Sequence, residues 1–311
     1  MTLVVRNRTL KALFTTAAAT VALAATAGSS LAAGDPSGAT EAHDRAGHRA
    51  QAPLAAPRAA AVAKAAPKFS MTAVHKTTGE LYLYWPDGKG GFEPREDVGV
   101  TYDFQAADIP VDNDDDVYSD GTYHLGKNGV ITYAYIDDDS VYHSTQVGYG
   151  WNIYSTVLSV GTIAGAKEAD LLAVDKSGVL WEYLAYPDGT LTKRSRIGGG
   201  WGQYTQLAGQ GDLTGDGRAD LVARDKSGVL WLYRGTGDFK APFAARTQIG
   251  AGWNTYDRLL SVGDLDSDGK SDLVARKANG DLYRYSGTGV APAVWAKAVK
   301  IGYGFQVYNL L

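Results

Sequence analysis

The stretch Gly211–Tyr233, GDLTGDGRADLVARDKSGVLWLY, sets Asp212, Asp216 and Asp220 four residues apart and then runs into an apolar segment ending on Trp231 and Tyr233. Nearly the same string returns from Gly263 to Tyr285 as GDLDSDGKSDLVARKANGDLYRY. Its second half reads as a hairpin: a branched run, a short polar turn with glycine, and an alternating run. A string that recurs at a fixed interval changes the choice of fold, so the interval is the first quantity to establish.

Two anchors establish it. One is a β-run entering a glycine turn and then an aromatic ring: Val147-Gly-Tyr-Gly-Trp151, Ile197-Gly-Gly-Gly-Trp201 and Ile249-Gly-Ala-Gly-Trp253, each followed three residues later by Tyr154, Tyr204 or Tyr256. Looser copies are Val98-Gly-Val-Thr-Tyr102 and Ile301-Gly-Tyr-Gly-Phe305, the latter followed by Tyr308. The second anchor runs from glycine to tyrosine at Gly79–Tyr84, Gly129–Tyr135, Gly178–Tyr183, Gly228–Tyr233 and Gly280–Tyr285. Five units of about 50 residues, rich in short strands and without a long amphipathic helix, predict an all-β, five-bladed β-propeller with four-stranded blades. The last unit stops at VYNLL, and the first lacks the strand that opens the others. The C-terminal strand is therefore expected to complete the N-terminal blade and remove two open sheet edges.

Outside the repeat, Arg6, Arg8 and Lys11 precede an Ala/Leu/Val/Thr-rich run that ends AGSSLAAG. Residues 1–33 read as a secretory signal peptide cut near Ala32 or Ala33, too short and threonine-rich in its apolar part for a spanning helix. Residues 34–67, rich in alanine and proline, read as a flexible linker, and 68–311 as the propeller. Removing the three cationic residues of the leader takes the net charge from −4 to −7. A mildly acidic exported chain argues against nucleic acid and anionic membranes as partners. With no cysteine, stability is expected from the core and from bound hard cations.

The acidic loop supplies the donors for such a cation. Asp212, Thr214, Asp216 and Asp220, and Asp264, Asp266, Asp268 and Asp272, place oxygen side chains at positions 1, 3, 5 and 9, with glycine at 6 and the carbonyls of Arg218 and Lys270 at 7. That is the first half of an EF-hand-like shell and points to Ca2+. The glutamate an EF-hand carries at position 12 is replaced by Ala223 and Ala275, already in a strand. Aligned from Asp108, the second unit keeps Asp108, Asp112 and Asp116, with Asp114 at the backbone position and Pro110 at position 3, a weaker site. The third unit, Thr162 to Asp170, keeps only its last aspartate and is expected to bind nothing.

The strings GDLTGDGRADLVA and GDLDSDGKSDLVA resemble FG-GAP/VCBS-type repeats, the calcium-bearing units of integrin α-chain propellers and of many secreted bacterial proteins. The literal FG and GAP strings are absent. IGGGWGQY and IGAGWNTY beside GVLWLY are similar to the tachylectin-type repeat, a resemblance that implies five blades in one ring and N-acetylated sugars held between blades.

The leading functional expectation is a secreted, non-catalytic, lectin-like module for extracellular carbohydrate, acting as a monomer. Tyr102, Trp151, Trp201, Trp253 and Phe305 are its candidate sugar platforms; the alternative for these rings is packing between blades. An adhesive module for a cell-surface protein shares every one of these features. A glycoside hydrolase would need two carboxylates outside the repeat phase, and only Glu80, Glu93, Glu96, Glu168 and Glu182 are available. Gly121–Lys127 has phosphate-loop spacing, but Asn128 stands where Ser/Thr is needed and a strand pattern follows. His75, His124 and His143 share neither a repeat phase nor a ligand spacing.

Overall fold

A computed structural model of the chain describes residues 65–102, 105–165 and 167–311. The leader and all but the end of the linker lie outside them. The first blade contains β1 (Met71–His75), β2 (Glu80–Tyr84) and β3 (Glu96–Thr101). The second contains β4 (Gln105–Val111), β5 (Gly121–Gly126), β6 (Ile131–Ile136) and β7 (Tyr142–Gly148). The third contains β8 (Tyr154–Gly161), β9 (Asp170–Asp175), β10 (Leu180–Tyr183) and β11 (Ser195–Gly198). The fourth contains β12 (Tyr204–Ala208), β13 (Leu221–Asp225), β14 (Leu230–Tyr233) and β15 (Thr247–Gly250). The fifth contains β16 (Arg258–Gly263), β17 (Asp272–Arg276), β18 (Leu282–Tyr285) and β19 (Val299–Gly302). The last strand, β20 (Tyr308–Leu310), pairs with β1 in the order β20-β1-β2-β3, giving five four-stranded antiparallel sheets. The expected closure is present: Ala73 faces Leu310 and His75 faces Tyr308.

Burial follows strand position. In β17 every residue is buried, because both faces of a second strand are covered by neighbouring blades, and Asp272-Leu-Val-Ala-Arg276 is accordingly apolar in its middle. The outer strand β19, Val-Lys-Ile-Gly, is exposed at its first two positions. Among the described residues the apolar core is divided into five clusters; four join neighbouring blades, as one joins Tyr123 and Ile131 of the second to Trp151 and Leu171 of the third, and the fifth gathers first-blade residues around Tyr102.

The glycine-flanked rings build these interfaces. Gly150 and Gly200 have φ of 76° and 91°, which lets the chain turn sharply into a short 3-10 turn that starts on Trp151 or Trp201. The ring residue's N–H donates to the hairpin glycine of the preceding blade in all five units: Tyr102 to Gly79, Trp151 to Gly129, Trp201 to Gly178, Trp253 to Gly228 and Phe305 to Gly280, at 2.6–3.0 Å. Its side chain packs on the tyrosine of the following blade, with centroids 4.6 Å apart for Trp151–Tyr183 and Trp201–Tyr233, 4.7 Å for Trp253–Tyr285 and 5.1 Å for Phe305–Tyr84.

At the closing interface, Arg276 of the fifth blade donates through Nη1 to the carbonyls of Phe305 (3.1 Å) and Tyr308 (2.7 Å) and pairs with Asp257 through Nε and Nη2 at 2.9 Å. Arg276→Ala leaves two buried acceptors unmet and should cost about 2–3 kcal/mol in urea unfolding. Arg246, exposed and stacked over Trp231 at 4.1 Å, should cost no more than about 1 kcal/mol when changed to alanine. Equal losses would show that the closing bonds are not what holds the ring.

Candidate metal centre and inter-blade cleft

The acidic loops join the first and second strands of the second to fifth blades and therefore share one face of the ring. Asp212 accepts N–H bonds from Thr214 (2.8 Å), Gly215 (2.7 Å) and Gly217 (2.6 Å), and Asp216 accepts one from Arg218 (3.1 Å). Asp264 likewise accepts from Asp268 (3.1 Å) and Gly269 (2.9 Å), and Asp268 from Lys270 (2.9 Å). Arg218 and Lys270 thus close the turn at position 7. Carboxylate oxygens of Asp264, Asp266 and Asp268 lie within 4.8 Å of one another.

The structure corrects the register of the second loop by four residues. Asp108 is inside β4 and bonds its carboxylate to Nδ1 of the buried His124 at 2.8 Å, so it belongs to the sheet and not to the loop. Asp112 takes the first position, with Asp115 and Val117 donating to it at 2.8 and 3.0 Å, and Tyr118 donates to Asp116 at 2.9 Å. Asp112, Asp114 and Asp116 then gather their oxygens within 4.8 Å, as the fifth-blade triad does. Asp114 supplies a side chain at position 3, not a carbonyl at position 7, and Pro110 is not in the loop. At position 6 of this register Val117 holds φ of 74°, where the fourth and fifth loops have Gly217 (80°) and Gly269 (84°). The Asp spacing 112, 114, 116, 120 was the available signal.

A second correction concerns position 9. Asp220 accepts from Leu213 N–H (3.0 Å) through one oxygen and from Gly235 N–H (3.0 Å) through the other. Asp272 does the same with Leu265 (3.0 Å) and Gly287 (2.9 Å). Both are fully buried, and with both oxygens engaged they tie the loop to the blade and stand apart from the triad. Asp170 keeps the role, accepting from Ile163 (2.9 Å) and Ala164 (3.1 Å). This is why it persists in the one loop that lacks the other acids.

The triads fit a hard cation. Every donor is oxygen, and Asp266 leaves Oδ1 buried without a partner while Oδ2 takes Ser286 Oγ (3.1 Å) and Arg284 Nη1 (3.0 Å). Burial, partly offset by backbone N–H bonds, raises Asp112 to about 6. Ala66 and Pro67, at the end of the stretch read as linker, lie against the same face: Ala66 N–H donates to Gly269 (3.2 Å), Asp264 N–H to Pro67 (2.7 Å) and Lys68 N–H to Val117 (2.7 Å). Ala65 and Pro67 line a cavity of about 260 Å3 that also reaches Asp112, Thr162 and Asp212.

The candidate sugar platforms are not platforms. Tyr102, Trp151, Trp201, Trp253 and Phe305 are 8%, 1%, 7%, 8% and 8% exposed; the last four pack on inter-blade tyrosines, and Tyr102 meets His124 edge-on. The opposite face of the ring, where second-to-third strand hairpins and blade connections emerge, carries an open cleft of about 300 Å3 between the third and fourth blades. Val174, Asp175, Lys176, Trp201, Tyr204 and Gln206 line it.

The other acids are dispersed. Glu80 accepts from Thr78 Oγ1 (2.8 Å) and Tyr82 OH (2.9 Å), and Glu96 from Trp85 Nε1 (2.8 Å), both in the first blade with Glu93. Glu168 and Glu182 are in the third; Glu182 is 1% exposed. His143 bonds Asp137 at 2.7 Å, and His75 Nδ1 accepts from Thr78 N–H at 3.2 Å. Among the described residues no helix is long and apolar enough to cross a membrane.

No curated protein matches the chain. Among solved structures, the BP39L lectin of Burkholderia pseudomallei is 12% identical, with a TM-score of 0.43 over 74% of this chain and 68% of that one. The fucose-specific lectin of Aleuria aurantia is 12% identical, with a TM-score of 0.40 over 76% and 80%. A protein assigned as a 6-phosphogluconolactonase from Bacteroides uniformis is 13% identical, with a TM-score of 0.41 over 78% and 70%. Residues 212–275, which hold the two full loops and the strands after them, match the FG-GAP-like repeat. The chain is a five-bladed β-propeller that carries the FG-GAP-like repeat.

Proposed function

We propose that this chain is an exported, calcium-stabilised binding module without catalytic activity, whose ligand enters between blades. The observation that supports calcium is the gathering of three carboxylates in one loop, with a buried, unpartnered oxygen on Asp266. Asp264, Asp266 and Asp268 would hold one ion, Asp112, Asp114 and Asp116 a second, and Asp212, Thr214 and Asp216 a third. The ion would supply the charge that lets these carboxylates stay ionised side by side. Export rests on the leader pattern of residues 1–33 alone.

Binding in place of catalysis is supported by the dispersal of the acids. The two in the third blade sit near the buried Asp170, and a substrate has no path to Glu182. Carbohydrate, the class expected from the sequence, loses the ring platforms and rests on the open cleft, which has room for a single sugar ring. Its direct test is a glycan array read with calcium and with chelator; absence of any glycan signal in both removes the carbohydrate reading.

Chelation should lower the melting temperature by several degrees, about 2–4 °C for each kcal/mol of ion binding lost in a domain of this size. Asp268→Ala should remove part of that calcium-dependent difference. Asp272→Ala should destabilise to a similar extent with and without calcium, since Asp272 ties the loop through N–H bonds. A chain whose melting ignores chelator refutes the metal assignment, and a calcium-dependent loss in Asp272→Ala would return that residue to the ligand set.

Glu182 provides a pH test of its structural role. Burial first, then Asp170, raises it from 4.5 to about 8, and burial raises Asp170 from 3.8 to about 6. The folded chain therefore holds more protons than the unfolded chain across this window, so stability is greatest below it and falls as pH rises towards 8. Glu182→Gln should flatten the upper part of that decline in urea titrations at fixed calcium. An unchanged slope would place the titration elsewhere.

A further inference from the structure

Three neighbouring interfaces differ at one position. In the register of the inner strand pairs, Gln206 faces Arg224, Arg258 faces Arg276 and Thr156 faces Val174. Arg224 of the fourth blade crosses to the fifth, where Nη1 meets the carbonyls of Trp253 (3.1 Å) and Tyr256 (2.5 Å) while Nε meets Thr205 Oγ1 (3.0 Å). Arg276 crosses from the fifth blade to the closing strand and meets the carbonyls of Phe305 and Tyr308 in the same way. Both arginines are buried, at 7% and 6% exposure. The same slot is thus filled twice by a guanidinium that bridges a ring residue and the tyrosine three residues after it.

At the third interface the corresponding pair is Trp201 and Tyr204, and the position that should send the arginine is Val174. The cleft of about 300 Å3 opens beside these three residues. Val74, Leu125 and Val174 take the position in the first, second and third blades, and all three pack into apolar clusters. The mouth at the third interface is reachable, since Ser155, Lys176 and Gly202 are exposed. By the repeat register, this cleft stands where the next two interfaces hold an arginine.

We propose that the cleft between the third and fourth blades binds a guanidinium group from outside the chain, an arginine side chain presented by a peptide. This names the ligand for the inter-blade binding reading and rests on that reading. The acceptors are the carbonyls of Trp201 and Tyr204, with Ser155 Oγ where Asp257 stands at the closing interface. Trp201 and Tyr204 are the counterparts of the two residues whose carbonyls a single guanidinium Nη1 meets in the other two slots. Asp175 and Lys176 are the charged groups of the lining. Although burial opposes it, hydrogen bonds from Ser177, Trp181 and the Val179 N–H lower Asp175 to about 2, so its carboxylate stays ionised against the exposed lysine.

The experiment is an amide NMR titration of the calcium-loaded chain with N-acetyl-arginine methylamide, its neutral citrulline counterpart, and N-acetylglucosamine. Saturable shifts centred on Trp201, Tyr204 and Val174 are expected with the arginine compound, about tenfold weaker with citrulline because the charge-assisted bonds are lost. Val174→Arg should fill the slot from within, raise the melting temperature and abolish the shifts. If that variant does not fold, Val174→Met, which fills the cleft without donors, should weaken them. Binding that persists unchanged in a folded Val174 variant, or equal binding of citrulline, overturns the proposal. Sugar shifts at these amides without an arginine response overturn it while leaving the binding-module reading standing; silence from all three compounds here, together with a blank glycan array, overturns both.

Discussion

Everything in this ring depends on one contact, the glycine-flanked ring wedged between blades. A blade is a small sheet with apolar groups on both faces, and it is stable only when both neighbours cover it. The wedge joins them through two chemically different bonds, a backbone N–H to the previous blade's hairpin and a ring face on the next blade's tyrosine. The first sets the angle of approach and the second buries area. Because the motif carries both, five repetitions define five interfaces, and the pairing of β20 with β1 removes the last pair of edges.

The same economy separates two duties within the acidic loop. Holding the loop to its blade falls to the ninth residue, whose carboxylate takes backbone N–H groups at all four loops: Asp120, Asp170, Asp220 and Asp272. Gathering negative charge falls to positions 1, 3 and 5. A loop can lose the second duty and keep the first, as the third blade does with Thr162 and Ala164 while Asp170 still takes the N–H groups of Ile163 and Ala164. It cannot lose the first without leaving buried N–H groups unmet, which is the more expensive failure.

This division explains what the sequence disclosed and what it concealed. Blade count, strand order and closure were legible because periodic wedges and hairpins must recur at one phase. The register of the second loop is ambiguous in the sequence because Asp108, Asp112 and Asp116 fit positions 1, 5 and 9 as Asp112, Asp116 and Asp120 do, and Val117 holds the left-handed conformation that glycine takes in the fourth and fifth loops, at a steric cost. Asp220 and Asp272 were placed in the metal shell because a carboxylate at the right spacing looks the same whether it meets an ion or an amide. The rings suggested platforms for a similar reason: an aromatic residue in a glycine turn does not announce which side its face is on. Burial decides that, and burial belongs to the neighbouring blade.

The arginines give no signal in the sequence, because each reads as a polar position at the end of a strand. Their meaning appears only when the blades are superimposed in register and Val174 falls where Arg224 and Arg276 stand. A repeat protein offers this internal control: a variable position inside a constant frame shows what the frame accommodates. In two slots the frame holds a guanidinium against two carbonyls. In the third, the carbonyls remain because the wedge requires their backbone, while the donor has gone and the space is open to solvent. The wedge that makes the fold therefore also makes the cleft, on the face away from the acidic loops. Ions on one face would stiffen the ring, and a ligand on the other would enter a slot whose shape the ring already fixes.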